Sequence, residues 1–380
     1  MKHTLPLLGL LIGLTSSSFA ADQASVIETK VISQQPQYYH GWPTLMRKQD
    51  GTLIVVVSGG RHGHVCPFGR VEMMISRDEG KTWTFPRSIL DTDVDDRDAG
   101  ALETPKGTLL VTTFTSTAYE IQMNLLKEGK PSNFVNVETL PAWNAAHARL
   151  TDEQRKTQPG EWLVRSTDKG LTWSPPISTL VNSPHGPTVL ADGRLLYVGK
   201  ELWNEKKRIG ACESTDDGLT WCWIAEIPTR PGDNVTDDYH ELHAVQAKDG
   251  RIIAHIRHHG KKNTKETLQT ESDDGGKTWS VPHSIGVWGY PSHLLKLRDN
   301  TLLMSYGHRR APIGNQARVS RDSGSTWSEA IIVSGDATSG DIGYPSTVEL
   351  ADGSLLTVWY EHLKDNKNAV LRQAHWKLPN

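Results

Sequence analysis

The chain is poor in the features that mark many protein classes. Net charge is only −3, from 41 Lys and Arg against 44 Asp and Glu. No basic cluster stands out, which argues against nucleic acid or a membrane surface as partner. The apolar run Leu5–Leu14 is too short to cross a bilayer, and nothing later supplies a span. No glycine-rich loop follows a strand and opens a helix, so no organic cofactor is indicated. Cysteine is scarce, with three residues in 380, and Cys66 has no thiol-protease pattern around it. His240-Glu241-Leu242-His243 is not the helical two-histidine zinc motif, and His258 and His259 point to opposite faces of a strand. No metal is expected. Helix-forming sequence is sparse too, whereas 33 Gly and 20 Pro punctuate turns. The fold class is all-β.

What is present is repetition. The pattern Ser-x-Asp-x-Gly-x-Thr-Trp begins at Ser76, Ser166, Ser214, Ser272 and Ser320. Each copy follows a β-rich run such as Val71–Ile75 and reads as a hairpin turn. Its Asp accepts backbone N–H groups, its Gly takes the left-handed conformation, and its Trp wedges between neighbouring sheets. A second series of turns lies out of phase: Asp50-Gly51, Lys106-Gly107, Asp192-Gly193, Asp249-Gly250, Asp299-Asn300 and Asp352-Gly353. Alternating the two series gives four strands per blade, with the box joining the third and fourth. Six turns against five boxes predict a six-bladed β-propeller. Its last blade, ending in Ala369–Trp376, takes its outer strand from Ala24–Ile32.

Residues 1–20 read as a secretory leader, with Lys2, the run Leu5–Leu14 and the small-x-small site Ser18-Phe19-Ala20. The expected protein is therefore exported, periplasmic or secreted, as one propeller domain over 21–380. Export permits disulfides. Cys212 and Cys222 flank the third box and read as a cross-strand bridge or as two buried thiols. The 90-residue gap between the first two boxes holds an insertion from about Thr115 to Gly160, helical in composition at Ala142–Lys156. It either overhangs the propeller mouth as a lid or decorates the outer rim.

In this topology the starts of first strands and the ends of second strands ring one mouth. There the sequence places His40, Trp42, Arg61-His62-Gly63-His64, Asp95-Asp96-Arg97-Asp98, His185, His240-Glu241 and Arg257. Tyr290, Arg309-Arg310, Tyr344 and Tyr360-Glu361-His362 complete the ring. Such convergence of Arg, His, Tyr and carboxylates points to a functional site.

The boxes and this ring resemble the sialidase (neuraminidase) superfamily of six-bladed β-propellers. That resemblance implies a Tyr nucleophile, a Glu that polarises it, an Arg triad for a carboxylate and an Asp acid/base. Gly343-Tyr344-Pro345-Ser346, with Leu350-Ala351-Asp352-Gly353 and Trp359-Tyr360-Glu361, looks like the family's last blade. Glu241 and Arg257 are similar in position to its Glu and second Arg, and Arg309 or Arg310 to the third. The chain departs from the pattern at His40-Gly41-Trp42-Pro43, where the family has Phe-Arg-Ile-Pro, so Gly41 replaces the first Arg. The loop after Arg61 offers His62 and His64 but no Asp. His64 and Asp98 are the proton-transfer candidates beside Tyr344, Glu241 and Glu361, and Glu361 needs a new partner such as Arg61. Arg61, Arg97, Arg257, Arg309, Arg310, His62, His185, His240, Tyr290 and Trp42 are the candidate substrate ligands. The implied activity is exo-acting hydrolysis at a glycan chain end, on a sugar other than ordinary N-acetylneuraminic acid. A polysaccharide lyase acting on a uronate, and a carbohydrate-binding propeller without catalysis, are the alternatives. No oligomeric state is indicated.

Overall fold

A computed structural model describes residues 22–260 and 265–379; the leader expected at 1–20 lies outside them. The two turn series alternate along the chain and build six sheets. Blade one comprises Tyr39–Arg47, Leu53–Arg61, Arg70–Ser76 and Arg87–Leu90. Blade two comprises Asp95–Glu103, Leu109–Ser116, Gly160–Ser166 and Ile177–Ser178. Blade three runs from Thr188–Val189 to Cys222–Glu226, blade four from Tyr239–Gln246 to His283–Trp288, and blade five from Ser292–Lys296 to Ile331–Ser334. Blade six has Ile342–Glu349, Leu355–Glu361 and Val370–Lys377, and its outer strand is Ser25–Val31, antiparallel to the last. The expected closure by the N-terminal strand is therefore what forms. One element was not foreseen: Asp22–Gln23 pairs in parallel with Ile331–Ser334 of blade five.

The boxes form as their residues require. In the first, the Ser76 hydroxyl donates to Asp78 Oδ1 (2.7 Å) and accepts from Gly80 N (2.9 Å), while Thr82 N donates to the same carboxylate (2.9 Å). Gly80 has φ +83°, and a Cβ there would lie 2.7 Å from Leu356 Cδ2 of blade six, so both the turn and the close approach require glycine. The Trp plates lean on the preceding blade. Trp83 Nε1 donates to Gln373 on blade six (2.8 Å) and Trp327 Nε1 to Gln269 on blade four (2.8 Å). Interblade cores of Val, Leu and Ile, such as Leu53, Val55, Leu356 and Val358 around Trp83, fill the space between sheets.

The insertion folds as three helices, α1 (Tyr119–Lys127), α2 (Leu140–His147) and α3 (Asp152–Thr157). A capping box of Thr151 and Gln154 opens the last of them. Tyr119, Met123, Val135 and Trp143 bury themselves against Cys66 and Phe68, in the loop after the second strand of blade one. That loop belongs to the mouth, so the insertion leans on the mouth.

The cysteine expectation needs correction. Cys212 pairs across the ladder with Trp223, and Cys222 pairs with Glu213, after a register shift at Ala211/Cys212. A one-residue offset puts the two side chains on opposite faces, so Cys212 is buried, Cys222 is exposed, and all three cysteines are free thiols. Titrating the native protein with an aromatic disulfide reagent should therefore label one thiol, Cys222. Three should react after unfolding without reductant; one reactive thiol after unfolding would reveal a bridge.

Candidate functional site

Four blades carry an extra residue near the start of the first strand. Gly41 pairs with Ser58 but Thr44 with Val56; Arg97 with Phe114 but Gly100 with Thr112. Tyr239 and Leu242 pair with His258 and Ile256, and Gly343 and Ser346 with Tyr360 and Val358. Such bulges bend a strand and re-aim side chains. Trp42 (φ 55°), Asp98 (φ 49°) and Tyr344 (φ 55°) lie inside them in the left-handed region, as does His185 (φ 72°) ahead of blade three. That conformation is uncommon for residues with side chains, bulky ones above all. Together with Glu241 of the blade-four bulge, Trp42, Asp98 and Tyr344 line one chamber of about 270 Å³.

At its floor the Tyr344 hydroxyl donates to Glu241 Oε1 (2.7 Å), and Arg257 Nη1 donates to both Glu241 Oε1 (2.8 Å) and Tyr344 Oη (3.1 Å). Burial works to raise the Glu241 pKa, but Arg257, then His240 and the Tyr344 hydroxyl, more than offset it and hold it at about 2. Burial, then the charges of Glu241 and Asp98, keep Tyr344 well above the ordinary phenol value. At neutral pH the pair is thus a neutral phenol on an ionised carboxylate. Glu241 Oε2 is buried without a partner among the described residues. Arg257 and Arg309 lie over the ring of Tyr290, at 4.3 and 5.2 Å from its centroid, and Arg97 lies 4.5 Å over Trp42.

Two groups can hold a proton at the walls. Asp98 is buried, with Oδ1 unpartnered among the described residues; burial, opposed by Arg97 and reinforced by Glu241, raises its pKa to about 7. His64 turns Nδ1 to Asp341 (3.3 Å) and to the Tyr39 hydroxyl (3.0 Å), and its other nitrogen has no protein partner among the described residues. Burial lowers the His64 pKa, opposed by the bond to Asp341. Asp341 escaped the sequence reading, although it precedes Tyr344 on the same segment. It accepts from Tyr39 (3.0 Å), Tyr360 (2.9 Å) and His362 (3.1 Å). Although burial opposes it, these donors and His64 hold its carboxyl well below the usual range.

Several expected ligands are elsewhere. Arg61 is fully buried and grips Asp95 with both terminal nitrogens, one at 2.8 Å, while donating to the His64 carbonyl (2.9 Å). It shapes the blade-one loop and cannot reach a substrate, nor does it partner Glu361. Glu361 accepts from Arg372 (2.5 Å) and Trp359 Nε1 (3.1 Å). Strand alternation gives the chamber Tyr360 and turns Glu361 away, so Glu361 is not a catalytic candidate. Arg310 is exposed and rests on Trp288 at the rim, leaving Arg309 as the blade-five cation. His185 is buried with His243 and His293, at ring separations of 5.4 and 4.9 Å, and is not open to substrate. His240 lies against His259, with ring centroids 4.2 Å apart and the planes tilted by 41°, and lines a side lobe of about 200 Å³ with Asn182, Lys200 and Leu202. His62 is exposed beside Phe68 (4.9 Å), outside the chamber. Tyr290 is buried and serves as a plate under two guanidiniums, and Trp42 fills the blade-one wall. Asp233, Asp238 and His258 are the one cation-like cluster among the described residues. Arg230 already supplies its positive charge, with bonds to Asp233 (2.9 Å) and His258 (3.2 Å), so no metal is assigned.

No curated protein sequence matches the chain. Among solved structures it is similar to a protein of unknown function from Dyadobacter fermentans, at 22% identity and a TM-score of 0.73, over 93% of this chain and 99% of that one. It is similar also to the intramolecular trans-sialidase of Ruminococcus gnavus, at 16% identity and a TM-score of 0.62, over 94% and 97% of the two chains. The NanB sialidase of Streptococcus pneumoniae matches at 14% identity and a TM-score of 0.63, over 94% of this chain and 71% of that one. These likenesses establish the fold. The family model for the BNR repeat-like domain matches residues 16–231 and 145–357. With six blades and five boxes in place, the chain belongs to the BNR repeat-like family and has the β-propeller fold of the sialidase structures it resembles.

Proposed function

We propose that the protein is an exported glycoside hydrolase that removes an acidic sugar from a glycan chain end. The observation that carries this is the bond from Tyr344 to Glu241 at 2.7 Å, with Arg257 on both groups. In this reading Tyr344 Oη attacks the anomeric carbon while its proton passes to Glu241, and the glycosidic oxygen leaves with a proton from His64. Water then displaces Tyr344 from the sugar, giving a proton to His64, and Glu241 returns its proton to the phenol. A neutral phenol approaches the anomeric centre of an anionic sugar with less repulsion than a carboxylate. Arg257 and Arg309 at the chamber suit a substrate carboxylate. Protonated Asp98 would donate to a ring substituent. Export is supported by the leader-like residues 1–20.

Elimination from a uronate is the second reading, favoured by His259, which burial and Arg257 keep neutral with a pKa of about 3, beside the same guanidinium. A panel of glycans decides, with reducing sugar and the absorbance of unsaturated uronate followed together. Hydrolysis is expected to raise only the first; a rise in both means a lyase, and a rise in neither overturns the enzymatic reading. A fluorogenic N-acetylneuraminic acid glycoside should be a poor member of the panel. A charged hydrogen bond contributes roughly 1.5–3 kcal/mol, so Gly41 and Trp42 in place of a guanidinium cost about ten- to a hundredfold. Efficient turnover of that glycoside would mean that Arg97 has taken the missing role.

A further inference from the structure

Beside the catalytic chamber lies a larger cleft of about 550 Å³, walled on one side by the insertion (Ser132–Asn136 and Thr139) and on the other by His62, Gly63 and the segment Lys367–Asn368. His64 and Asp341 line both spaces. The two are therefore contiguous, and the His64–Asp341 pair stands at the junction. Their linings differ in kind. The inner chamber gathers Arg97, Arg257 and Arg309. The outer cleft offers the amides of Gln37, Asn133 and Asn368 and the rings of His62 and Phe134, with Lys367 at its edge. Asp341 adds no free acceptor, because Tyr39, Tyr360, His64 and His362 already bond it.

We propose that this cleft is the leaving-group subsite, and that it holds one or two neutral, hydroxyl-rich sugars next to the acidic residue being removed. Amides pair with sugar hydroxyls, and exposed ring faces cover the apolar faces of a pyranose. The volume falls within the roughly 300–1,000 Å³ of small-molecule pockets, about twice that of the inner chamber. The inference rests on the hydrolase reading and deepens it. A scissile bond spanning the two spaces lies at His64, where a proton must reach the departing oxygen. It also gives the insertion a function: Phe134, 6.0 Å from the His64 ring and tilted 30° to it, closes the wall that blades one and six leave open. The substrate is then an oligosaccharide, bound at its non-reducing end in the chamber and along the insertion beyond it.

The test uses two substrates bearing the same acidic sugar, a nitrophenyl glycoside and a reducing-end-labelled trisaccharide. His62→Ala removes one ring, and Asn133→Trp fills the cleft from an exposed position. Each variant should lower kcat/KM for the trisaccharide by about five- to tenfold, the scale of one lost ring contact. Turnover of the nitrophenyl glycoside and the melting temperature should not change. Equal losses on both substrates, or none on either, would overturn the subsite while leaving the hydrolase reading standing. A wild-type protein that cleaves neither substrate would refute the hydrolase reading itself.

Discussion

A Tyr344→Phe protein is expected to fold normally and to lose about a hundredfold or more of its turnover, the scale of a nucleophile or acid–base group. The substitution removes one oxygen from a buried ring that stays packed against Trp42 and Tyr360, at centroid separations of 6.5 and 5.9 Å. Glu241 keeps its bond to Arg257 at 2.8 Å, so no buried charge loses its counter-ion. The structural cost is that of the two hydrogen bonds the hydroxyl makes, one donated to Glu241 and one accepted from Arg257, roughly 1.5–3 kcal/mol each for a charged partner, which lowers the melting temperature without removing the fold. Turnover and thermal unfolding measured on the same preparation separate chemistry from folding. Near-normal turnover in a folded Tyr344→Phe protein would end the nucleophile assignment and the sialidase-like mechanism with it.

The second large effect should depend on the leaving group. His64→Gln removes the proposed proton donor, and about a hundredfold or more is expected to go from turnover of an unactivated glycan. A nitrophenyl glycoside, whose leaving group needs no proton, should lose far less. The pH profile adds a sign. Burial holds the His64 pKa below its ordinary 6.5, so its acid form is populated only below that value. Wild-type turnover of glycans should therefore fall as pH rises towards neutrality, and this limb should vanish in His64→Gln. Asp98→Asn is the control. Its pKa of about 7 keeps it protonated below neutrality, and an amide reproduces a neutral donor in a left-handed conformation that Asn tolerates. A raised carboxyl pKa contributes stability that is full below the unfolded value of 3.8 and is lost as pH rises through about 7. The Asn variant should thus be no less stable than wild type at pH 8. If Asp98→Asn, and not His64→Gln, shows the leaving-group dependence, the proton donor is Asp98.

The turns were legible because their chemistry is local. A Ser-x-Asp-x-Gly-x-Thr-Trp segment carries its own hydrogen-bond partners, so five boxes and six intervening turns give blade number, strand order and N-terminal closure. Tyr344, Glu241 and Arg257 were legible for a related reason, since strand ends in a propeller converge whatever the details. The rest depends on register and on partners distant in sequence. Nothing in the spacing of Cys212 and Cys222 announces a bulge at Ala211, and nothing in Trp359-Tyr360-Glu361 says which side chain faces the axis. Arg61 looked like a ligand because its burial against Asp95 joins two blades that only the fold brings together. Asp341 went unseen because its donors come from Tyr39, His64, Tyr360 and His362, spread across most of the chain.

The joint between Ser25–Val31 and Val370–Lys377 governs how the ring can be assembled. These strands lie near opposite ends of the described residues, so that ladder cannot form until Val370–Lys377 has been synthesised. Pairing across so large a loop is slow and comes late. Until it forms, the strand Val370–Lys377 shows an unpaired edge to any neighbouring chain. A fragment lacking Ser25–Val31 should keep individual blades yet aggregate through that edge, one lacking Val370–Lys377 should do so through the edge of Leu355–Glu361, and the chain should fold only once both strands are available.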